Sequence, residues 1–291
     1  MKRFAKLCRK MQYLGLLGLL GLIVESRFLN LLWLFWLLGF VDIFYNLPVF
    51  LQSLKQLWGM LFIPFRYGSH IPSVDNYQCK VKYSLPFEGE WTVVNGGSDK
   101  KSSHSWTIPT QRYAYDFVIL DQEGRSFSSD PTKTEDYYCY GKSILASADG
   151  EVIEVLLGSP DSVLSGNGQV DCSARDIRGN YILIQHADNE YGLYAHLKPG
   201  SIGVKVGDRV QRGQRLAQCG NSGNTSEPHL HFHLQDGKSF YTSAGLPIEF
   251  SDIAIHSAPN YATFDPRPMP LDPASTVGKY IMRGQRVTNI K

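Results

Sequence analysis

Little in this sequence of 291 residues leans to an extreme, and each missing extreme removes a class of protein. The 29 Lys+Arg against 27 Asp+Glu leave a net charge of +2, which excludes a strongly basic nucleic-acid binder on composition, and no nucleic-acid partner is expected. Glycine (27) and proline (15) occur in ordinary proportion, so collagen-like and low-complexity classes are excluded. No tandem repeat is present. The five cysteines include no zinc-type Cys-x-x-Cys pair, and an odd number cannot all pair within one chain. There is no Ser/His/Asp order, no P-loop and no dinucleotide fingerprint, so no nucleotide or other organic cofactor site is expected. The glycine-rich turn Gly220-Asn-Ser-Gly leads into a strand-like run rather than a helix, so it is not a phosphate loop.

The near-neutral average hides a split. Residues 1–10 carry Lys2, Arg3, Lys6, Arg9 and Lys10 and no acid, so the remaining residues are mildly acidic. Behind that tail lie two apolar runs, residues 11–24 and 28–45, separated by Glu25-Ser-Arg. At about 1.5 Å per residue, eighteen helical residues nearly cross the ~30 Å hydrocarbon core and fourteen fall short. A signal-peptide core is the alternative for the first run, but no Ala-x-Ala-like cleavage site follows and a second apolar run does. Residues 47–64 place Phe50, Leu51, Leu54, Leu57, Trp58, Leu61 and Phe62 at helical spacing against Gln52, Ser53, Lys55 and Gln56, as an interfacial helix or a third span would. Residues 1–66 therefore read as a membrane anchor in contact with the lipid bilayer, its basic N-terminus cytoplasmic. One or three spans put the remainder outside the cytoplasm and two keep it inside; the sequence leaves that parity open.

From about Tyr67 the pattern changes to short strands and turns. Strand-like runs cover residues 91–94, 113–120, 151–157, 181–185, 192–196 and 229–234, with a further one at 279–287. Asn95-Gly-Gly, Asp149-Gly, Lys198-Pro-Gly, Gly207-Asp and Arg212-Gly punctuate them, while residues 158–176 and 257–273 read as loops. No long amphipathic helix follows residue 67. The expected fold is all-β, an antiparallel sandwich or barrel.

Three of the eight histidines fall in His229-Leu-His-Phe-His. On a strand all three imidazoles project to one face and Leu230 and Phe232 to the other. Such a stack is poor packing but suits metal chemistry, because neutral imidazole is a good zinc ligand. A solvated strand face is the bland alternative.

The run from Gly220 through Pro228-His-Leu-His-Phe resembles the C-terminal signature of the lysostaphin/LytM-type zinc metallopeptidases. Three upstream segments are also similar to that family: Tyr194-Ala-His-Leu, the Gly-Asp-x-Val-x-x-Gly turn at Gly207, and Ala146-Ser-Ala-Asp-Gly-Glu-Val. The similarity covers roughly residues 85–250. It implies a duplicated-hybrid-motif-like fold and one Zn²⁺ held by His231, by Asp116 in Tyr113-Ala-Tyr-Asp, and by His104. His196 and His229 would be the catalytic histidines. The chain departs from the family pattern in one place, since His104 and Asp116 stand twelve apart rather than four, with a Pro109-containing loop between them. Alternatively zinc uses Asp116 and His231 with another donor, or this half-site is degenerate.

His233 reads as a supporting or exposed residue, and His186 as a structural hydrogen-bonded one. His70 and His256 lie outside the motifs. The resemblance further implies an endopeptidase acting on amide bonds of peptidoglycan peptides, on the outer side of the cell membrane, which favours an odd number of spans. A rival is a non-catalytic domain that regulates wall hydrolases, and an activator protein is a conceivable partner. A lipoyl or biotinyl carrier would need a modifiable lysine at an exposed hairpin tip, and none is evident. The expected organisation is an anchor (1–66), a linker (67–84), the peptidase domain (85–250) and a C-terminal extension packing on it (251–291).

Overall fold

The apolar runs at the N-terminus fold as the arms of a helical hairpin in the computed structural model, which describes residues 2–170, 172–269 and 280–290. The first arm joins α1 (Lys2–Met11) and α2 (Gly18–Val24) through a 3-10 segment, Gln12–Leu17. The second joins α3 (Arg27–Leu31) and α4 (Leu38–Tyr45) through another, Leu32–Leu37. Glu25 takes a left-handed conformation, φ 52°, and Ser26 caps α3 by accepting from the Leu29 amide, so the chain reverses in two residues.

Sequence spacing explains the 3-10 turns. In a three-residue turn, side chains three apart eclipse, so Gly15 and Gly18 stack on one arm as Trp33 and Trp36 stack on the other. A Cβ on Gly15 would lie 2.2 Å from the Trp36 ring, and one on Gly18 would lie 3.0 Å from Trp33. The outward faces are almost wholly apolar, with Leu16, Leu19, Leu22, Phe28, Leu31, Leu34 and Phe40 all exposed. Leu7–Val24 is long and apolar enough to cross a membrane, while the apolar helix of the second arm, Arg27–Val41, is shorter. Because 3-10 residues rise about 2.0 Å rather than 1.5 Å, Leu7–Val24 reaches roughly 30 Å.

Two compact units make up the chain, Met1–Leu54 and Lys55–Lys291. Their boundary falls inside α5 (Leu47–Tyr67) rather than after it. The second half of α5 belongs to the β unit: Ile63 is fully buried, Arg66 faces Asp236, and Gly59 meets the Tyr241 carbonyl so closely that a Cβ would lie 1.7 Å from its oxygen.

Among its described residues the β unit carries, beyond the second half of α5, twelve strands and one short α-helix. In chain order these are β1 (Trp91–Asn95), β2 (Tyr115–Val118), β3 (Ser143–Leu145), β4 (Gly150–Leu156), β5 (Asn180–Ala187), β6 (Glu190–Leu197), β7 (Arg209–Val210), β8 (Arg215–Gln218), β9 (Leu230–Gln235), β10 (Gly245–Leu246), β11 (Ile253–Ser257), α6 (Tyr261–Phe264) and β12 (Gln285–Asn289). Ten strands form one antiparallel sheet in the order β11-β12-β1-β2-β9-β6-β5-β4-β7, with β10 also paired to β9. β3 and β8 form a separate two-stranded sheet. The all-β antiparallel expectation holds, and the main sheet is open rather than a closed barrel.

Residues 253–257 and 285–289, read respectively as undivided chain and as the end of a strand-like run, add two strands at one edge. The start of that run, with the end of the proline-rich loop, lies outside the described residues. One face of the sheet packs Trp91, Phe117, Leu230, Phe232 and Leu234 against Phe87 and against Ile144 of β3 and Ala217 of β8. Alternation along β9 sends Leu230, Phe232 and Leu234 into this core and the three histidines to the opposite face.

Candidate metal and catalytic centre

β9 lies between β2 and β6, and its register sets the site. His231 stands directly opposite Asp116 on one side and Ala195 on the other, so His196 is one residue beyond the same level. Side chains on one face of paired strands stand about 5 Å apart, which brings an acid and several imidazoles from three strands together. His231 Nδ1 lies 2.8 Å from Asp116 Oδ1 and His229 Nε2 lies 3.8 Å from it. His104 Nε2 is 3.9 Å from Asp116 Oδ2. The His196 and His229 ring centroids are 4.6 Å apart. All five expected residues therefore line one solvent-open cleft of about 420 Å³.

His104 reaches this cleft from a loop. Turns at residues 105–111 fold the intervening chain back, and the Gly245 amide donates to the Pro109 carbonyl at 2.9 Å. At the loop's start, Asn95 accepts from the His104 amide at 2.8 Å and donates to Asp116 Oδ2 at 3.0 Å. In the sequence Asn95 has only the look of a turn residue; its buried side chain is what joins the two halves of the twelve-residue interval. The turn motif gave no signal of this.

His196, the next-to-last residue of β6, has a left-handed conformation, φ 59°, a backbone state that concentrates at functional sites. Its amide donates to the Arg178 carbonyl and its Nδ1 donates to the Ser222 carbonyl at 2.8 Å. That carbonyl is held by the glycine-rich turn. Gly223 has φ 91°, and a Cβ there would meet the Gly179 nitrogen at 2.4 Å, so only glycine fits. His229 likewise commits Nδ1 to a carbonyl, that of Glu227, at 2.8 Å. Both imidazoles are thus left with Nε2 as the unoccupied lone pair.

Burial, reinforced by the neighbouring His229 and His231, pushes the His196 pKa well down, and burial also lowers that of His229. Both are neutral bases at neutral pH. Burial works to raise Asp116, but the His231 hydrogen bond and, when they carry a proton, the surrounding imidazoles of His231, His229 and His104 outweigh it and hold its carboxyl well below the ordinary range.

Sequence reasoning missed other cleft residues. Glu227 lines it, partly buried, with Oε2 accepting from Ser126 at 2.8 Å; burial lifts its carboxyl to about 7. Phe264, Asp265 and Arg267 form the opposite wall, fixed by buried Arg283, whose Nη1 donates to Asp265 at 2.7 Å. His233 is completely buried beside His231. His186 sits away from the cleft, bonded to the Asp149 carbonyl and the Tyr194 hydroxyl, and burial lowers its pKa to about 4. The five cysteines are free thiols.

The donors fit a zinc ion in kind: two imidazoles and one carboxylate, the set of a catalytic rather than a structural site. Their spacing is that of a hydrogen-bonded cluster, and among the described residues no three His, Cys, Asp or Glu side chains are arranged as a ready coordination sphere.

The family model that matches is Peptidase family M23, over residues 133–242. This interval contains His196, His229 and His231 and leaves out His104 and Asp116. The chain is 37% identical over 91 residues to the peptidoglycan DD-endopeptidase ShyA of Vibrio cholerae, covering 31% of this chain and 20% of that protein. It is 34% identical over 108 residues to the murein hydrolase activator NlpD of Escherichia coli, covering 37% and 24%. A zinc-containing peptidase structure from Vibrio cholerae aligns at 22% identity and a TM-score of 0.36, covering 57% of this chain and 41% of that one. The matched stretch thus spans about a quarter or less of these curated relatives. The matched interval, residues 133–242, is a stretch similar to Peptidase family M23, and it carries His196, His229 and His231.

Proposed function

We propose that this chain is a membrane-held zinc endopeptidase that hydrolyses amide bonds in peptidoglycan peptides. The observation that carries this is the pair His196 and His229, both neutral, both with Nδ1 spent on backbone carbonyls and Nε2 free, beside the Asp116–His231 pair in an open cleft. His231, Asp116 and His104 would hold the metal. Zinc, when bound, supplies a Lewis acid for a carbonyl and lowers the pKa of water towards ~7.

The protein's own groups do the rest. A free Nε2 accepts a proton from water as attack begins. The resulting imidazolium stabilises the negative charge growing on the carbonyl oxygen and returns the proton to the leaving amine. Committed Nδ1 hydrogens keep both rings in the tautomer this requires. The ShyA and NlpD relatives point to peptidoglycan as the polymer involved, through what their names state of them.

The second reading is a domain that binds wall peptides without cutting them. The direct 2.8 Å contact of His231 with Asp116 favours it, because a metal must part that pair. One experiment separates the two: the purified full chain in detergent, supplied with zinc, is assayed on isolated peptidoglycan. Stoichiometric zinc and release of peptide amines, lost at least about 100-fold in His231→Ala and His229→Ala, supports the enzyme. Binding to peptidoglycan with neither zinc nor cleavage overturns it in favour of the second reading.

This function belongs on the outer face of the cell membrane, with the apolar helices of residues 1–66 as the lipid anchor. Two crossings return a chain to the side of its N-terminus, so an outside peptidase with a cytoplasmic basic tail requires one crossing or three. A separate protein that opens the cleft remains part of this proposal only if the isolated chain is inactive with zinc bound.

A further inference from the structure

The sequence Asp-x-Arg occurs twice, at Asp176-Ile-Arg178 and at Asp265-Pro-Arg267, and the two copies fold into the same clamp. In the first, the Arg178 amide and Nε both donate to Asp176 Oδ1 at 2.9 Å, and Nη2 donates to Oδ2 at 2.7 Å. In the second, the Arg267 amide donates to Asp265 Oδ1 at 3.1 Å, Nε to the same oxygen at 2.9 Å and Nη2 to Oδ2 at 2.7 Å. Arg267 lines the catalytic cleft. Arg178 lines an adjoining hollow that shares His104, His196 and His231 with that cleft.

The first clamp is consumed by packing. Its arginine side chain is 11% exposed and lies 3.8 Å over the Tyr181 ring, while the Arg178 carbonyl accepts from the His196 amide. The second clamp is open. The Arg267 side chain is 55% exposed and is the one lysine or arginine among the described residues lining the cleft. Its pairing with Asp265 uses Nε–H and one hydrogen of Nη2. The other Nη2 hydrogen and both on Nη1 bond to nothing among the described residues, which leaves a fork that fits the two oxygens of a carboxylate.

Arg283 braces this clamp from beneath. It is 2% exposed, with Nη1 donating to Asp265 Oδ2 at 2.7 Å and Nη2 to the Pro268 carbonyl at 2.8 Å. Taking a guanidinium out of water is costly, and exposed ion pairs return little stability. What the brace gives is rigidity and sign. Two guanidiniums share one carboxylate, so the group stays net positive, and Pro266 and Pro268 restrict the backbone on either side of Arg267.

We propose that Arg267 is a specificity-determining residue whose open fork binds a free carboxylate of the peptide in the cleft, on a side chain or at the chain end. The inference rests on the peptide reading given above and adds the chemical feature that peptide must carry. The reacting amide belongs at the histidines, so the carboxylate sits on a flanking residue.

The test is calorimetric binding to the full chain in detergent, with three soluble peptidoglycan-peptide probes. One keeps every carboxylate free, one is amidated at the chain end and one on the side chain. Hydrogen bonds to a charged group of this kind carry about 10–100-fold in affinity. The parent should bind the free peptide tighter by that factor than at least one amidated probe, and which probe loses affinity identifies the carboxylate. Arg267→Met should bind all three alike, at the weaker affinity, with a cooperative melting transition. Arg267→Lys keeps the charge without the fork and should fall between. Equal binding of the three probes by the parent overturns the proposal, as does binding of none. Full parental discrimination in either folded variant overturns it too. With zinc supplied, the same factor should appear in KM with kcat unchanged. Cleavage that ignores Arg267 sinks this inference and leaves the peptidase standing; carboxylate-dependent binding without cleavage supports it and removes only the enzyme reading.

Discussion

Single residues in the cleft are set by what their neighbours leave free. The histidine triplet was legible because alternation along a strand is a strict rule, and the positions of His196, Asp116 and His104 were legible only through motif resemblance. Asn95 and Ser222 were not legible, since each acts through a backbone or amide contact that ordinary turn chemistry does not announce. Glu227 is the residue whose energetics can be tested most directly. An unfolded glutamate titrates near 4.5; burial lifts the folded group to about 7, with the Ser126 hydroxyl opposing. Between those values the folded chain keeps a proton that the unfolded chain releases. Stability therefore falls as pH rises through this window, by on the order of 1–3 kcal/mol. Glu227→Gln should melt near the parent temperature at pH 4.5 and above it at pH 8. A difference that does not change with pH would show that Glu227 titrates normally.

At the scale of elements, most strands fell where alternation and turn signals put them, within a few residues. β3, β7, β8, β10 and β11 were not legible as strands; the two-residue β7 and β10 could not be, because two residues carry no period. α5 was legible as an amphipathic helix but not as two half-helices belonging to different compact units. Gly59 marks its docked half. Replacing a helical glycine by alanine ordinarily gains about 1 kcal/mol. Here the new Cβ would lie 1.7 Å from a backbone oxygen, and a backbone oxygen does not swing aside as a side chain does. Forced separation costs about 1–3 kcal/mol, so Gly59→Ala should lower the melting temperature of the β unit and speed amide exchange in residues 60–67. A rise in melting temperature would show that the helix is not held there. In the hairpin, Gly15→Leu drives a side chain into Trp36, and loss of tryptophan burial, read as a red-shifted emission in detergent, is the expected outcome.

For the whole molecule, the charge split at the N-terminus and the apolar outer faces of both arms predict firm membrane association. Detergent, and not high salt or alkaline carbonate, should release the chain. The side on which the peptidase domain lies can be read from a native thiol: Cys172 is exposed, whereas Cys8, Cys139 and Cys219 are buried. A membrane-impermeant maleimide should label wild type in intact cells, with the wall permeabilised, and should lose most of that signal in Cys172→Ser. Labelling only after lysis would place the domain inside and remove the wall as its target.

By itself the sequence determined the order of the chain: a basic tail, two apolar runs, then a β domain with a His-x-His-x-His strand. Those features are local, written in charge, hydropathy and a two-residue period. Tertiary structure alone decided what meets what. Asp116 and His231 are 115 residues apart and touch because β2 and β9 are neighbours in register. The tautomers of His196 and His229 follow from carbonyls placed by turns and strand pairing. Hydrogen-bond direction is a property of packed atoms, and no residue carries it in its name.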